Sequence, residues 1–242
     1  MMLGISVEFL AHWGARLAIA SPIIAISGLV LFRSGVMTFG GPLLIVAVAT
    51  IIALVALLMS VLALVGGLGG DGAQTNRALL GLIVSLVVVF APLNGLRKAM
   101  TVPPIHDIST DLANPPVFSH VPSLRADGDN SLAFDSKVMD MQKAHYTNLR
   151  PVTLEVGMAE AFAQAVLTAE DMGWEIVHSD AASGQIEAVV TTPLFGFKDD
   201  VAIRMTAVEG GTQIDLRSVS RVGQSDLGAN ATRIQGFLDA IQ

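Results

Sequence analysis

Charge is distributed so unevenly along this chain that it implies two solvents. Only five charged residues, Glu8, Arg16, Arg33, Asp71 and Arg77, precede Arg97, and thirty lie from Arg97 onward. Folded chains keep most charge in water, so the first part reads as lipid-facing and the second as a water-soluble domain. The second part is long enough to bury a core of its own.

The fold class expected is three transmembrane helices followed by a soluble α+β domain, an antiparallel sheet with helices packed on one face. A spanning helix needs roughly 20 apolar residues. Residues 42–70 carry no charge, and residues 78–96 give nineteen uncharged positions. Residues 17–32 give sixteen, roughly 24 Å of helix, which residues 11–14 can extend. Trp13 and Arg16 then sit at headgroup depth. The spans are placed at about 10–33, 42–69 and 78–97, with the soluble domain over 101–242. Two apolar runs follow the first without a cleavage site between, so the first reads as a retained span rather than a signal peptide. Pro22 and Pro92 lie inside spans, where neighbouring helices can satisfy the freed carbonyls. No charge lies deep in a span, which argues against a proton relay or ion path.

Gly66, Gly67, Gly69 and Gly70 permit close helix packing or a flexible helix end. The run Gly67-Leu-Gly-Gly-Asp-Gly72 matches G-x-G-x-x-G, but it sits between membrane helices rather than in a βαβ unit, so a dinucleotide site is rejected. Three spans put Met1 and the soluble domain on opposite sides. Arg33, Arg97 and Lys98 flank one side and Arg16 and Arg77 the other; taken literally, this puts the soluble domain in the cytoplasm.

The chain has no cysteine, which excludes disulfides, thiolate nucleophiles and cysteine metal sites. From residue 101 there are nineteen acidic and nine basic residues. That balance disfavours nucleic acid and broad adhesion to anionic lipid. Five prolines between 103 and 122 exclude long helix and central strand there. A short helix is expected near 135–144, and a longer one over 158–172, with Gly173 past its end. Strands follow at 174–178, about Ile186 to Val190, about Val201 to Ala207, and 213–219. A turn at 181–184 and the Gly210-Gly211 pair separate them. Ser225 is expected to cap a final helix with the stripe Leu227, Ala231, Ile234, Leu238 and Ile241.

The segments Pro103-Pro-Ile-His-Asp-Ile-Ser-Thr-Asp111, Gly173-Trp174, Gly196-Phe-Lys-Asp-Asp-Val-Ala-Ile-Arg204 and Arg217-Ser-Val-Ser-Arg-Val-Gly-Gln-Ser-Asp-Leu-Gly-Ala-Asn-Ala-Thr-Arg-Ile234 occur in this order. Together they resemble domain of unknown function 1499, over nearly all of residues 103–241. That family occurs in bacteria and chloroplasts and has no established activity. Some bacterial members look like secreted lipoproteins, so the resemblance implies a periplasmic domain on a multi-pass inner-membrane protein. Large domains translocate largely regardless of their own charge, so the periplasm is preferred to the side that the cation count favours.

Three constellations carry candidate chemistry. His106, Asp107 and Asp111 could ligate a metal or supply a general base; the plainer reading is turn caps and hydrogen bonds that pin the segment, and no metal site is assigned. Arg217, Arg221 and Arg233 with Asp226 and Asn230 could grip a carboxylate or phosphate, helped by backbone donors near Ser225 to Gly228. The plainer reading is an internal salt-bridge network. Gly223-Gln-Ser225-Asp-Leu-Gly228 is one residue too long for the nucleophile elbow G-x-S-x-G, so no catalytic residue is assigned. Strand alternation puts Glu187, Arg204, Asp215, Arg217 and Arg221 on the sheet face away from the core. The 103–111 segment should lie across or beside that polar end, with an aspartate near Arg217 or Arg221.

The function expected is a membrane-anchored, non-catalytic binding or assembly module for a protein partner, with membrane lipid around its spans and no cofactor. The rival readings are a lipid or small acidic-ligand carrier and, behind it, an enzyme using His106 and the Arg217 cluster.

Overall fold

The computed structural model describes residues 6–67 and 71–242. The chain divides into two compact units, Met1–Arg97 and Lys98–Gln242, a division slightly before the expected boundary at residue 100.

The first unit is built from three helices, α1 (Val7–Arg33), α2 (Gly40–Gly66) and α3 (Gly72–Thr101). Each is long and apolar enough to cross a membrane. At 1.5 Å per residue, 27 residues span about 40 Å, and Ile23, Leu44 and Val87 are among the large apolar side chains left exposed, as lipid contact requires. Helix α3 begins well before the expected residue 78. The polar turn ahead of the apolar run is still helical, because the Asp71 carboxylate accepts from the Ala73 N–H at 3.0 Å and favours the positive end of the helix. Pro22 in α1 denies a partner to the carbonyl four residues back. That carbonyl belongs to Ala18, and the Ser21 hydroxyl donates to it at 2.9 Å. The Arg16 guanidinium lies 5.5 Å from the Trp13 ring centre.

The helices meet through small residues. Ala11, Ala63 and Ala78 cluster, and Gly14, Ser60 and Gly81 lie closer than any larger residue would allow. A Cβ on Gly81 would stand 2.3 Å from Ser60 Oγ and 3.2 Å from the Ala15 nitrogen. Gly81→Val is therefore expected to cost about 1–3 kcal/mol through overpacking, read as a lower unfolding midpoint of the intact chain in mild detergent. Gly66 and Gly67 do permit close packing, since Cβ atoms there would reach Val7 at 3.1 and 3.2 Å. Gly69 and Gly70, and with them part of the G-x-G-x-x-G run, lie outside the described residues.

The second unit is an antiparallel six-stranded open sheet with helices. Its elements are β1 (Asp107–Ser109), a 3-10 turn (Val121–Leu124), α4 (Ser136–His145), β2 (Val152–Leu154), α5 (Met158–Asp171), β3 (Glu175–Asp180), β4 (Gln185–Thr191), β5 (Lys198–Val208), β6 (Gly211–Ser220) and α6 (Ala229–Ile241). The strand order is β1-β6-β5-β4-β3, with β2 also paired to β6. β1 takes β6 residues 217–219 and β2 takes 212–214, so two short strands share one edge. The sheet helices pack over Ile186, Ile203, Ile214 and Leu216, the face that strand alternation predicts. Within α5 the deepest residues are Ala161, Ala165 and Ala169, all 0% exposed. The helical spacing predicts that α5 packs Phe162, Val166 and Ala169 against Ile186, Ile203 and Ile214; Ala169 is fully buried there, while Phe162 and Val166 pack against the core only partly buried. Alanine at the centre lets the helix axis approach the sheet, and the larger side chains fill the margins.

Candidate functional site

Residues 111–135 are irregular apart from the short Val121–Leu124 turn. They bond to the sheet face opposite the helices, where β5 and β6 project alternate side chains. Arg217 grips Asp107 of β1 with two bonds, Nε to Oδ1 at 3.0 Å and Nη2 to Oδ2 at 2.7 Å. Asp107 is thus the expected aspartate. Arg217 Nη2 also donates to the Leu132 carbonyl at 2.8 Å, and the guanidinium lies 4.7 Å from the Phe134 ring centre and 5.5 Å from that of Phe118. Arg204 bridges Asp111 and Asp215, each at 3.1 Å. Arg221 donates to Asp200 at 2.8 Å and to the Leu124 carbonyl at 3.0 Å, and Arg125 pairs with the same Asp200.

Glu187 shares this face. Its carboxylate accepts from the Ser119 hydroxyl and from the N–H groups of Ser119, His120 and Val121. Burial opposes its ionisation, but these hydrogen bonds outweigh burial and hold the carboxyl below the usual glutamate range. A carboxyl depressed in the folded state adds stability that is complete above its unfolded pKa, about 4.3. That stability is lost as pH falls through the lower folded value. Glu187→Gln should therefore flatten the acid limb of stability below about pH 4.3, measured by denaturant midpoints against pH.

A second group lies on the helix side. Arg233 of α6 pairs with Asp199 and donates to Ser218 Oγ at 2.8 Å. Asn230 is fully buried; its Nδ2 donates to the His106 carbonyl and to Ser220 Oγ, both at 3.0 Å. His106 is pinned through its backbone, because its carbonyl also accepts from the Ser220 N–H at 2.9 Å. Its side chain lines a cleft of about 470 Å³ with Asp107, Asn130 and Phe134.

The expected grouping of Arg217, Arg221 and Arg233 with Asp226 and Asn230 is thus corrected. Odd-numbered β6 residues face the covering segment and even-numbered ones face α6, so Arg217 and Arg221 are on one side and Arg233, Asp226 and Asn230 on the other. The expected Ser225 cap is corrected too. The Ser225 hydroxyl accepts only from the Leu227 N–H at 3.3 Å, and α6 starts later, with Gly228 at its N-cap. Asp226 supplies the acceptors instead, taking the Gly228 and Asn230 N–H groups at 2.8 Å each. The donors that were to hold a foreign anion thus hold the chain's own carboxylate. Burial raises the Asp226 pKa; the two backbone bonds oppose this, and the nearby Asp199 reinforces it. Burial and Asp226 likewise raise Tyr146.

Asp199, Asp200, Arg125 and Phe134 complete these networks and were not foreseen as partners. One signal was available: adjacent strand residues point to opposite faces, so the pair Asp199-Asp200 serves both clusters. Among the described residues, no group of three or more His, Asp or Glu side chains is arranged to hold a metal ion.

A family model described as "Protein of unknown function (DUF1499)" matches residues 107–241, more than half of the chain. The chain belongs to the DUF1499 family. No curated protein matches it. The DUF1499 match runs from the first residue of β1 to the last of α6. It takes in both charged networks and excludes the three apolar helices and His106.

Proposed function

We propose that this chain is a membrane-anchored, non-catalytic binding or assembly module for a protein partner, held in the inner membrane with its soluble unit in the periplasm. The observation that carries the proposal is the internal partnering of the arginines. Arg204, Arg217, Arg221 and Arg233 each pair with a carboxylate of the chain itself. An acidic ligand would have to displace those carboxylates and leave them buried without a partner, at a cost of several kcal/mol. The networks fasten residues 107–135 onto the sheet, and a rigid scaffold on a membrane anchor suits recognition.

Purification of the full chain in mild detergent tests this. A stoichiometric protein partner supports the proposal; a stoichiometric small molecule with no protein partner counts against it. For the side of the membrane, reporters at Gly40 and Gln242 should report the periplasm and one at Gly72 the cytoplasm. The reverse pattern would return the soluble unit to the cytoplasm.

One observation favours the ligand reading. A cleft of about 490 Å³ lies between Tyr146 and Leu149 on one wall and Ala231 and Gln235 of α6 on the other. Its volume falls within the range of small-molecule sites, about 300–1,000 Å³. Its one carboxylate, Asp239, and its lack of an arginine disfavour an acidic ligand there.

A further inference from the structure

We infer that the outer face of α1 near its start, from Glu8 to Arg16, is a binding site for the headgroup of a membrane phospholipid with a primary ammonium, of the phosphatidylethanolamine class. Glu8, His12 and Arg16 follow one another at four-residue intervals, so they stand in a column along one face of the helix. Phe9 and Trp13 form a second column beside it. These two rings are 49% and 42% exposed, and with Ser6, Glu8 and His12 they line a cleft of about 290 Å³. The face is held in shape from within. The Ser6 hydroxyl caps the helix by accepting from the Phe9 N–H at 3.1 Å. The Trp13 ring lies 6.3 Å from that of Phe9 and meets the His12 ring edge-on at 6.0 Å.

Charge is ordered along this face. The charge-free run of α1 begins at Leu17, so in a bilayer the helix enters hydrocarbon just after Arg16. Glu8 is then outermost and Arg16 innermost, two turns or about 12 Å apart along the axis. The Arg16 guanidinium closes part of that distance by lying back over Trp13, 5.5 Å from the ring centre, as a cation at the edge of hydrocarbon does. A zwitterionic phospholipid presents the same order, with its ammonium toward water and its phosphate beneath. The phosphate thus meets Arg16 and the His12 ring. The ammonium meets the Glu8 carboxylate and the Phe9 ring.

The charges themselves select the ligand. Among the described residues, neither Glu8 nor Arg16 has an ion-pair partner, whereas Arg204, Arg217, Arg221 and Arg233 are each held by a carboxylate of the chain. Both charges of this face are therefore open to a headgroup that carries both signs. An ionised Glu8 is an acceptor only. A primary ammonium brings N–H groups to it, and the quaternary ammonium of phosphatidylcholine has none. An anionic headgroup without an ammonium is repelled by Glu8.

Native mass spectrometry of the full chain in mild detergent counts bound lipids directly. Phosphatidylethanolamine, phosphatidylcholine and phosphatidylglycerol with the same acyl chains are titrated in turn. The first phosphatidylethanolamine should bind about tenfold tighter than the other two, the worth of one charge-assisted hydrogen bond. Glu8→Gln should bring it down to the level of phosphatidylcholine. Arg16→Gln should weaken these two lipids by a similar factor, since both carry the phosphate. Glu8 and Arg16 are exposed, so both variants keep the fold. Glu8 in the first turn also suits the positive end of the helix, which is why the ratio between lipids, and not stability, is the readout. Arg97→Gln, which alters an exposed cation of α3, should leave that ratio unchanged. Equal affinity for phosphatidylethanolamine and phosphatidylcholine overturns the inference. So does a preference that survives Glu8→Gln or is abolished by Arg97→Gln, since either places the selection elsewhere. Phosphoethanolamine without acyl chains should not displace the lipid at equal concentration; displacement would make the ligand a soluble one and overturn the lipid assignment.

Discussion

Arg217→Ala is expected to lower the unfolding free energy of the Lys98–Gln242 unit by about 3–5 kcal/mol, the usual result of removing one partner from a buried ion pair. Arg217 and Asp107 side chains are 4% and 6% exposed, so water cannot take over the lost contacts. The substitution strands the Asp107 carboxylate, frees the Leu132 carbonyl and removes the cation between Phe118 and Phe134. It also releases the segment that these groups fasten. Denaturant unfolding of the Lys98–Gln242 fragment measures the loss. Arg217→Lys should recover only part of it, because an ammonium cannot reproduce the two-bond grip on Asp107. A change within about 0.5 kcal/mol, the range of an ordinary surface substitution, would mean that the pair does not hold the domain together.

Phe237→Ala should be comparably severe, at about 3–5 kcal/mol. Phe237 is fully buried in α6, and its ring stacks on Trp174 at 5.1 Å with the planes 22° apart. Its removal opens a cavity where α6 meets the start of β3. Phe162→Ala should cost less, since Phe162 sits at the margin of the α5 contact. The two variants, compared in one denaturant series, test where the centre of the core lies. A larger loss for Phe162→Ala would return the centre to the position that the helical stripe alone suggests.

These cases show what the sequence discloses and what it hides. Ile186, Ile203 and Ile214 could be assigned to the core because a strand has a period of two and admits no intermediate face. Phe162 could not be placed as securely, because a helical stripe is about 100° wide and its centre depends on how closely the helix approaches the sheet. The three residues of β1 were hidden among prolines. They form a strand because β6 offers an open edge, and because the Gln142 side chain accepts from the Ser109 N–H and donates to its carbonyl on the outer side. The arginines were legible as a charged group, but their partners were not. Arg221 meets Asp200 across neighbouring strands, and Arg233 meets Asp199 across a strand and a helix. Such pairs follow from register, which residue types alone do not specify.

The functional reading rests on the claim that the arginines serve the fold rather than a ligand. A double-mutant cycle on Asp107 and Arg217 in the Lys98–Gln242 fragment tests that most directly, with Asp107→Ala, Arg217→Ala and the double variant unfolded in denaturant. A buried pair fastened in this way should show a favourable coupling of about 1–3 kcal/mol, the double variant losing less than the sum of the two single losses by that amount. Additive losses, with coupling near zero, would contradict the account and leave Arg217 available as a group that waits for a ligand.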